Sequence, residues 1–432
     1  MLGLNKEQKE CIGLLSIGTF LEYFDLMLYV HMAVLLNELF FPATDAHAAK
    51  LISAFAFCSV FVTRPIGALL FGYIGDNIGR RATVIITTTM MACSCVVMAN
   101  LPTYEQIGIT AAWIVTICRV VQGMSSMGEI VGAELYMTEI TKPPVQYPVT
   151  TLIAVFSVIG GNVALGVASL VTSFGFNWRI AFWIGAGVAV IGAIARTRLR
   201  ETPDFVDFKR KAKKYLEVLN RTPEHIEAVL NYPTFQEKVN KTTLLSLFLI
   251  QCSWPVCFYF VYIHCGHILK DSFGYSAEQV IHQNFIVSMM NLLGYLIITY
   301  LSYRIHPLKI IKVKLIIFSI FILICPYLLS NIKTANDLFL IQSFIMLFIL
   351  SAASAMSVMY SHIPIFKRFT YAGLMFALSR AIMHVITSFG LVYLVEYFGH
   401  WGLLVIMIPV CIGFGFAVFH FEKLEIEAGN LS

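Results

Sequence analysis

The stretch "RPIGALLFGYIGDNIGRR", residues 64–81, decides how the rest of the chain is read. Glycine-rich apolar sequence can cradle a phosphate, but that use needs the order strand, glycine loop, helix. Here the glycines lie inside the apolar run, and an aspartate and two arginines close it. The pattern fits a helix that crosses an apolar layer and ends in a charged corner.

Composition supports the apolar layer. The 432 residues are 58% hydrophobic and 13% charged, with mean hydropathy +0.78. A soluble domain carries roughly 25% charged residues, so this chain has an excess of apolar surface that suits lipid. Its ten cysteines lie mostly in apolar runs such as "MACSCVVM" and lack disulfide or metal spacing. The net charge of +5 comes mainly from basic loops and makes no case for nucleic acid. The N-terminal apolar segment has no small-residue cleavage site and is interrupted by Glu22 and Asp25. It reads as a retained first helix rather than a signal peptide.

Segments long enough to cross about 30 Å of hydrocarbon are expected near 11–36, 50–73, 82–100, 107–137, 147–171 and 178–196, then near 243–266, 280–301, 311–330, 336–359, 369–394 and 400–420. The expected fold is an all-α polytopic membrane protein of twelve transmembrane helices in two six-helix halves. Residues 1–196 form the first half, 197–241 a charged linker, and 242–432 the second half with its tail. Basic residues alternate between loops. Arg80, Arg81, Lys142, the linker, Arg304, Lys309, Lys312, Lys314, Lys367 and Arg368 fall on one side, against Lys50, Lys270 and Lys333 on the other. The positive-inside bias puts both termini and the linker in the cytoplasm. The linker alternates acids, bases and aromatics and reads as short amphipathic helices, acting as a connector or as a site for regulation or a partner.

Pro65, Gly67, Gly72 and Gly75 thin one helix face for close packing or bending. Asp76 follows at the cytoplasmic exit, just before Arg80 and Arg81. Such a corner can hold two helices in one state and release them in another. The plainer alternative is a topology-setting loop, for which the arginines alone suffice.

Residues 72–81 and "RVVQGMSSMGE", 119–129, resemble two motifs of the major facilitator superfamily. Within it, "GTFLEYFDLMLY", 18–29, the opening stretch and "RETPDF", 200–205, are similar to the metabolite–proton symporter group that includes the proline/betaine transporters. The resemblance implies alternating access by two halves around a central cavity, driven by proton entry at a bacterial inner membrane. It makes Asp76, Arg80 and Arg81 a cytoplasmic gate, and it places Arg119 and Gln122 in a motif tied to proton coupling. The second half departs from the gate pattern. A shift of 227 residues, read directly from the sequence, sets Tyr303 against Asp76, and Pro307 and Leu308 against the arginines. Gly294 still matches Gly67, while Asn291 faces Arg64.

Charged residues inside spans are functional candidates because they are expensive in lipid. Glu22 and Asp25, three apart, share a helix face that Tyr29 continues. With Arg119 they are the candidates for proton coupling. The alternative for the acids is bonding to a neighbouring helix. Glu129 and Glu134 lie farther along the same segment as Arg119 and are weaker choices for a central site. Arg119 can attract a substrate carboxylate or tune a nearby acid. The candidate substrate cavity is Tyr29, Gln122, Trp254, Tyr259, His264, Arg380 and His384. Its aromatics suit an apolar or quaternary ammonium group, unless they serve as belt or packing residues.

The partners expected are therefore a small carboxylate-bearing or zwitterionic metabolite, a proton and the lipid bilayer, with the monomer as the working unit and no cofactor or metal. A membrane enzyme would need a nucleophile–base pair or a metal set at one depth, and the histidines are dispersed. An organic-acid symporter, a uniporter and a receptor that has lost transport are the remaining alternatives.

Overall fold

A computed structural model describes residues 4–41, 55, 58–77, 80–126, 130–196 and 239–431. Within these, the side chains at 7, 33–35, 37–38, 75–77, 80–81, 84, 172, 193–196, 277 and 365–366 are outside the description. The chain is helical throughout the described residues. Helix α1 spans Lys6–Phe40, α2 Arg64–Asn77 (preceded by helical residues 58–62), α3 Arg80–Asn100, α4 Ile109–Ser125, α5 Ile130–Ile140, α6 Gln146–Ser173 and α7 Arg179–Arg196. After the linker come α8 Lys241–Gln251, α9 Ser253–Tyr259, a π-helical turn Phe260–His264, α10 Cys265–Phe273, α11 Ala277–Ser302 and α12 Pro307–Ser330. The last four are α13 Ala335–Leu347, α14 Met356–Ser361, α15 Ile365–Phe398 and α16 Gly402–Glu427. Among the described residues, six helical stretches are long and apolar enough to cross a membrane by length and composition, and α2, α3, α7 and α13 contain shorter apolar helices. The linker, apart from residues 239–241, lies outside the described residues.

Local sequence sets several helix starts. Pro307 occupies the first turn of α12, where its missing N–H costs nothing. Ser276 with Gln279, and Thr334 with Asp337, form reciprocal capping boxes at α11 and α13. Backbone N–H groups of Lys333 and Thr334 donate to the Asp337 carboxylate at 3.0 and 2.8 Å.

Polarity is reversed relative to a soluble protein. Trp113 on α4 is 63% exposed and Ile320 on α12 is 58% exposed, while Glu22, Asp25, Arg64, Arg119, Glu134 and Arg380 are buried. Apolar side chains facing outward and charges facing inward suit hydrocarbon surroundings.

Glycines bring backbones together as the opening stretch predicts. A Cβ at Gly67 would overlap the backbone of Met124, so α2 and α4 touch main chain to main chain. After the linker, a Cβ at Gly294 would come 2.7 Å from the carbonyl oxygen of Leu347. The two glycines that matched in the shifted sequence thus do the same work, each letting its helix lie against the backbone of another.

Two spans read from sequence as continuous helices are not regular. Residues 348–352 are unwound between α13 and α14, with a short 3₁₀ turn at Ala353–Ala355 before the helix resumes. This segment is "FILSA", followed by further small residues, and its freed groups find partners. Ser253 donates to the carbonyl of Leu350 at 2.7 Å, and the Ala353 N–H donates to the Ser351 hydroxyl at 3.3 Å, which Tyr295 in turn holds by donating to it at 2.9 Å. Non-helical backbone is tolerated at membrane depth where protein or a cavity satisfies it. The π-helical turn is held similarly. Gln342 donates to the carbonyl of Val261 at 2.8 Å, and Asn284 to that of Tyr262 at 3.2 Å.

Candidate functional site

A cavity of about 90 Å³ lies between helices from before and after the linker. Tyr23, Met27 and His31 of α1, Glu134 of α5, and Ser157 and Asn162 of α6 form one wall. The opposite wall comes from Gln251, Trp254, Phe258 and Tyr262, from Asn291 and Tyr295 of α11, from the unwound Leu350–Ala353 segment, and from Phe376 and Arg380 of α15. The broken helix therefore delivers backbone to the cavity, which a continuous helix could not do.

Charge in this cavity is sparse and placed. Among the described residues that line it, Glu134 is the one carboxylate and Arg380 the one guanidinium. Glu134 Oε2 accepts a hydrogen bond from the Tyr360 hydroxyl at 2.8 Å. Arg380 Nη1 donates to the carbonyl of Gln251 at 2.7 Å, and its guanidinium carbon lies 4.7 Å from the Trp254 ring centre and 4.5 Å from that of Phe376. Trp254 stacks on Phe258 at 4.8 Å, and Phe258 packs on Tyr262 at 4.9 Å. An aromatic wall next to a guanidinium can take an apolar body carrying a carboxylate.

Contacts between helices from before and after the linker flank the cavity. His31 meets Tyr262 edge-on at 6.2 Å, and Cys58 and Ser388 share a 2.9 Å hydrogen bond. Gly72 packs against Thr370, Glu134 is bonded to Tyr360, and Glu139 stands 4.0 Å from Arg368.

The residues singled out in the sequence divide into three sets. Trp254 and Arg380 line the cavity. Glu22, Asp25, Tyr29, Arg119 and Gln122 are buried beside it, among the helices that precede the linker. Glu22 acts electrostatically on Arg64, and so does Tyr23, which reaches the cavity. Asp25 instead meets Cys95 of α3 and sits against Gly185 of α7, where a Cβ would lie 2.8 Å from its Oδ1. The two acids thus diverge, because three residues along a helix is still about 60° of rotation away from alignment. Arg119 lies over the ring of Tyr29 and donates to Gln122 Oε1 at 3.4 Å.

Tyr259, His264 and His384 are set back from the lining. Tyr259 donates to the carbonyl of Ser388 at 3.4 Å. His264 stacks on Phe260 at 5.5 Å within the π-helical turn. His384 packs against Phe61 at 3.8 Å. The side chains of Asp76, Arg80 and Arg81, and all of Glu129, lie outside the described residues.

Sequence reasoning passed over Tyr23, His31, Asn162, Asn291 and Tyr295, and ranked Glu134 low. Asn162 and Asn291 carried a signal, since an amide inside an apolar span needs a polar environment. Glu134 was ranked low because it lies farther along the same segment than Arg119, toward its cytoplasmic end, whereas the folded chain brings it to the cavity wall.

The sequence profile of the Major Facilitator Superfamily matches residues 15–361. The chain belongs to that superfamily. Among its relatives are the inner membrane metabolite transport protein YhjE of Escherichia coli K12, 34% identical over 223 residues covering 50% of each chain. The proline/betaine transporter of the same strain is 32% identical over 205 residues, 46% of this chain and 41% of that one. The chain thus spans about half the length, or less, of these sequence relatives. The proton:xylose symporter XylE bound to 6-bromo-6-deoxy-D-glucose superposes with a TM-score of 0.77 at 16% identity, over 96% of this chain and 95% of that one. The human organic anion transporter MFSD10 superposes with a TM-score of 0.71 at 13% identity, over 96% and 100%. These likenesses show the all-α, polytopic major facilitator fold.

Proposed function

We propose that this superfamily member is a secondary transporter of the bacterial inner membrane that imports a small metabolite with protons by alternating access. The observation that carries the reading is the placement of Glu134 and Arg380 in one cavity between helices on either side of the linker. A transporter needs a site that both bundles contact, so that their relative movement exposes it to one face and then the other. Arg380 against Trp254 and Phe376 favours a carboxylate on an apolar body, which fits a zwitterion such as proline or a betaine. Sequence relatives include proteins named proline/betaine transporters.

In this reading twelve spans form two six-helix bundles, 1–196 and 242–432, with 197–241 joining them and both termini in the cytoplasm. Glu22, Asp25 and Arg119 couple proton movement to the cavity, and Asp76, Arg80 and Arg81 close its cytoplasmic end. A monomer suffices, because both walls of the cavity come from one chain. An organic-acid symporter would use the same Arg380 and the same acids, whereas a uniporter would use Arg380 without the acids that exchange protons.

Uptake of labelled proline and glycine betaine into proteoliposomes, with and without an inwardly directed proton gradient, tests the reading. Accumulation above the external concentration only with the gradient is expected. Equal downhill uptake under both conditions would favour a uniporter, and uptake of neither solute would remove the zwitterion assignment.

A further inference from the structure

Glu134 sits where protonation and movement meet. It is buried, it lines the cavity, and its bonded partner Tyr360 belongs to the bundle on the far side of the linker. We propose that Glu134 is a proton-binding carboxylate of the cavity, and that its bond to Tyr360 ties that proton to the closure between α5 and α14. The proposal rests on the transport reading above and gives it a second protonatable site, placed in the cavity itself rather than beside it.

The physical argument is one of differential interaction. A hydrogen bond from a phenol to an ionised carboxylate is about twice as strong as one between neutral groups. With Glu134 ionised, Tyr360 holds α14 against α5. With Glu134 protonated, the charge assistance disappears and the closure weakens. A ligand moves a conformational equilibrium only by its different affinity for the two states, and here the proton has that difference through a single bond. The groups facing Glu134 come from four elements. Tyr360 on α14 is bonded to it, and Arg380 on α15, Tyr23 on α1 and Tyr295 on α11 act on it or feel its charge electrostatically. Arg380 stabilises the ionised form, so a substrate carboxylate that engages Arg380 competes with Glu134 for it. Substrate arrival thereby favours the protonated acid and the release of Tyr360. Glu139 and Arg368, 4.0 Å apart, also join α5 to α15 and would part in the same movement.

Infrared difference spectra of the reconstituted full chain, recorded on stepping from alkaline to acid buffer without any solute, test the assignment. Wild-type protein should show a buried carboxyl C=O component that is absent in E134Q and retained in E22Q and D25N. In Y360F the same component should persist and titrate at higher pH, by roughly tenfold in proton affinity, because one bond to the ionised form is gone. A merely structural Glu134 would leave no such component to lose. Retention of the component in E134Q, or an unmoved midpoint in Y360F, would overturn the proposal. The measurement is independent of transport. If wild-type protein moves neither proline nor glycine betaine while the component behaves as described, the substrate reading fails and the proton site stands.

Discussion

The guanidinium carbon of Arg119 lies 3.7 Å from the centre of the Tyr29 ring, so a helix-four arginine rests on a helix-one aromatic face inside the membrane. Nε and Nη2 of this arginine make no hydrogen bond among the described residues. The ring is therefore a principal neighbour of a charge that cannot be neutralised by deprotonation. Tyr29→Ala should destabilise the folded protein by about 1–2 kcal/mol, the scale of a desolvated cation–π contact. Tyr29→Phe keeps the ring and removes a hydroxyl that has no hydrogen-bond partner among the described residues, so it should stay close to wild type. Thermal unfolding of the purified variants in detergent compares them. Equal losses in both would show that the hydroxyl matters rather than the ring.

Gly294 and Gly67 make a second test, of packing. Gly294→Ala places a methyl 2.7 Å from the Leu347 carbonyl, where no flexible side chain can give way. The expected cost is about 1–3 kcal/mol, the usual range for overpacking. Gly13→Ala, with nothing within 4 Å of the added carbon, is the matched control and should be neutral or slightly stabilising. Melting temperatures in one detergent decide it, and an unchanged Gly294→Ala protein would mean that α11 can move away from α13 at little cost.

Much of the fold was legible because lipid imposes a coarse rule: long apolar runs become helices, and the glycines at 67 and 294 announce close backbones. The unwound 348–352 segment was not legible. Its residues are mostly apolar, and the group that satisfies the freed Leu350 carbonyl is the hydroxyl of Ser253, distant in sequence. The cavity was half visible. Arg380 and Trp254 stand out as a charge and a large aromatic in apolar sequence. Tyr23 and Tyr295 read as ordinary membrane aromatics, and Glu134 only gains its place when α14 brings Tyr360 to it. Pairings across hundreds of residues leave no local pattern to read.

Topology is testable without any solute. The basic-loop alternation places residues near 220 in the cytoplasm and residues near 270 outside. Single cysteines introduced at these positions, in a background lacking exposed Cys93, should react with a membrane-impermeant maleimide in intact cells only near 270. Labelling near 220 from outside would reverse the arrangement, and with it the side on which Asp76, Arg80 and Arg81 close the cavity.

The coupling acids can be separated by their neighbours. Glu22 reaches the cavity region through its charge on Arg64, which also acts on Tyr23 and Arg380, whereas Asp25 is turned toward Cys95 and Gly185. Glu22→Gln removes an anion from a cluster containing two arginines, so it should weaken both solute affinity and accumulation. Asp25→Asn alters a group farther from the solute and should leave affinity within about threefold, well under 1 kcal/mol, while abolishing accumulation against a gradient. Solute-driven proton movement and counterflow exchange in proteoliposomes supply the two readouts, after size-exclusion chromatography establishes that each variant is monodisperse. Exchange preserved with accumulation lost in Asp25→Asn assigns it to coupling. If both variants still move protons with solute in wild-type proportion, neither acid couples the cycle, and the coupling site is to be sought at Glu129, Glu134 or His384.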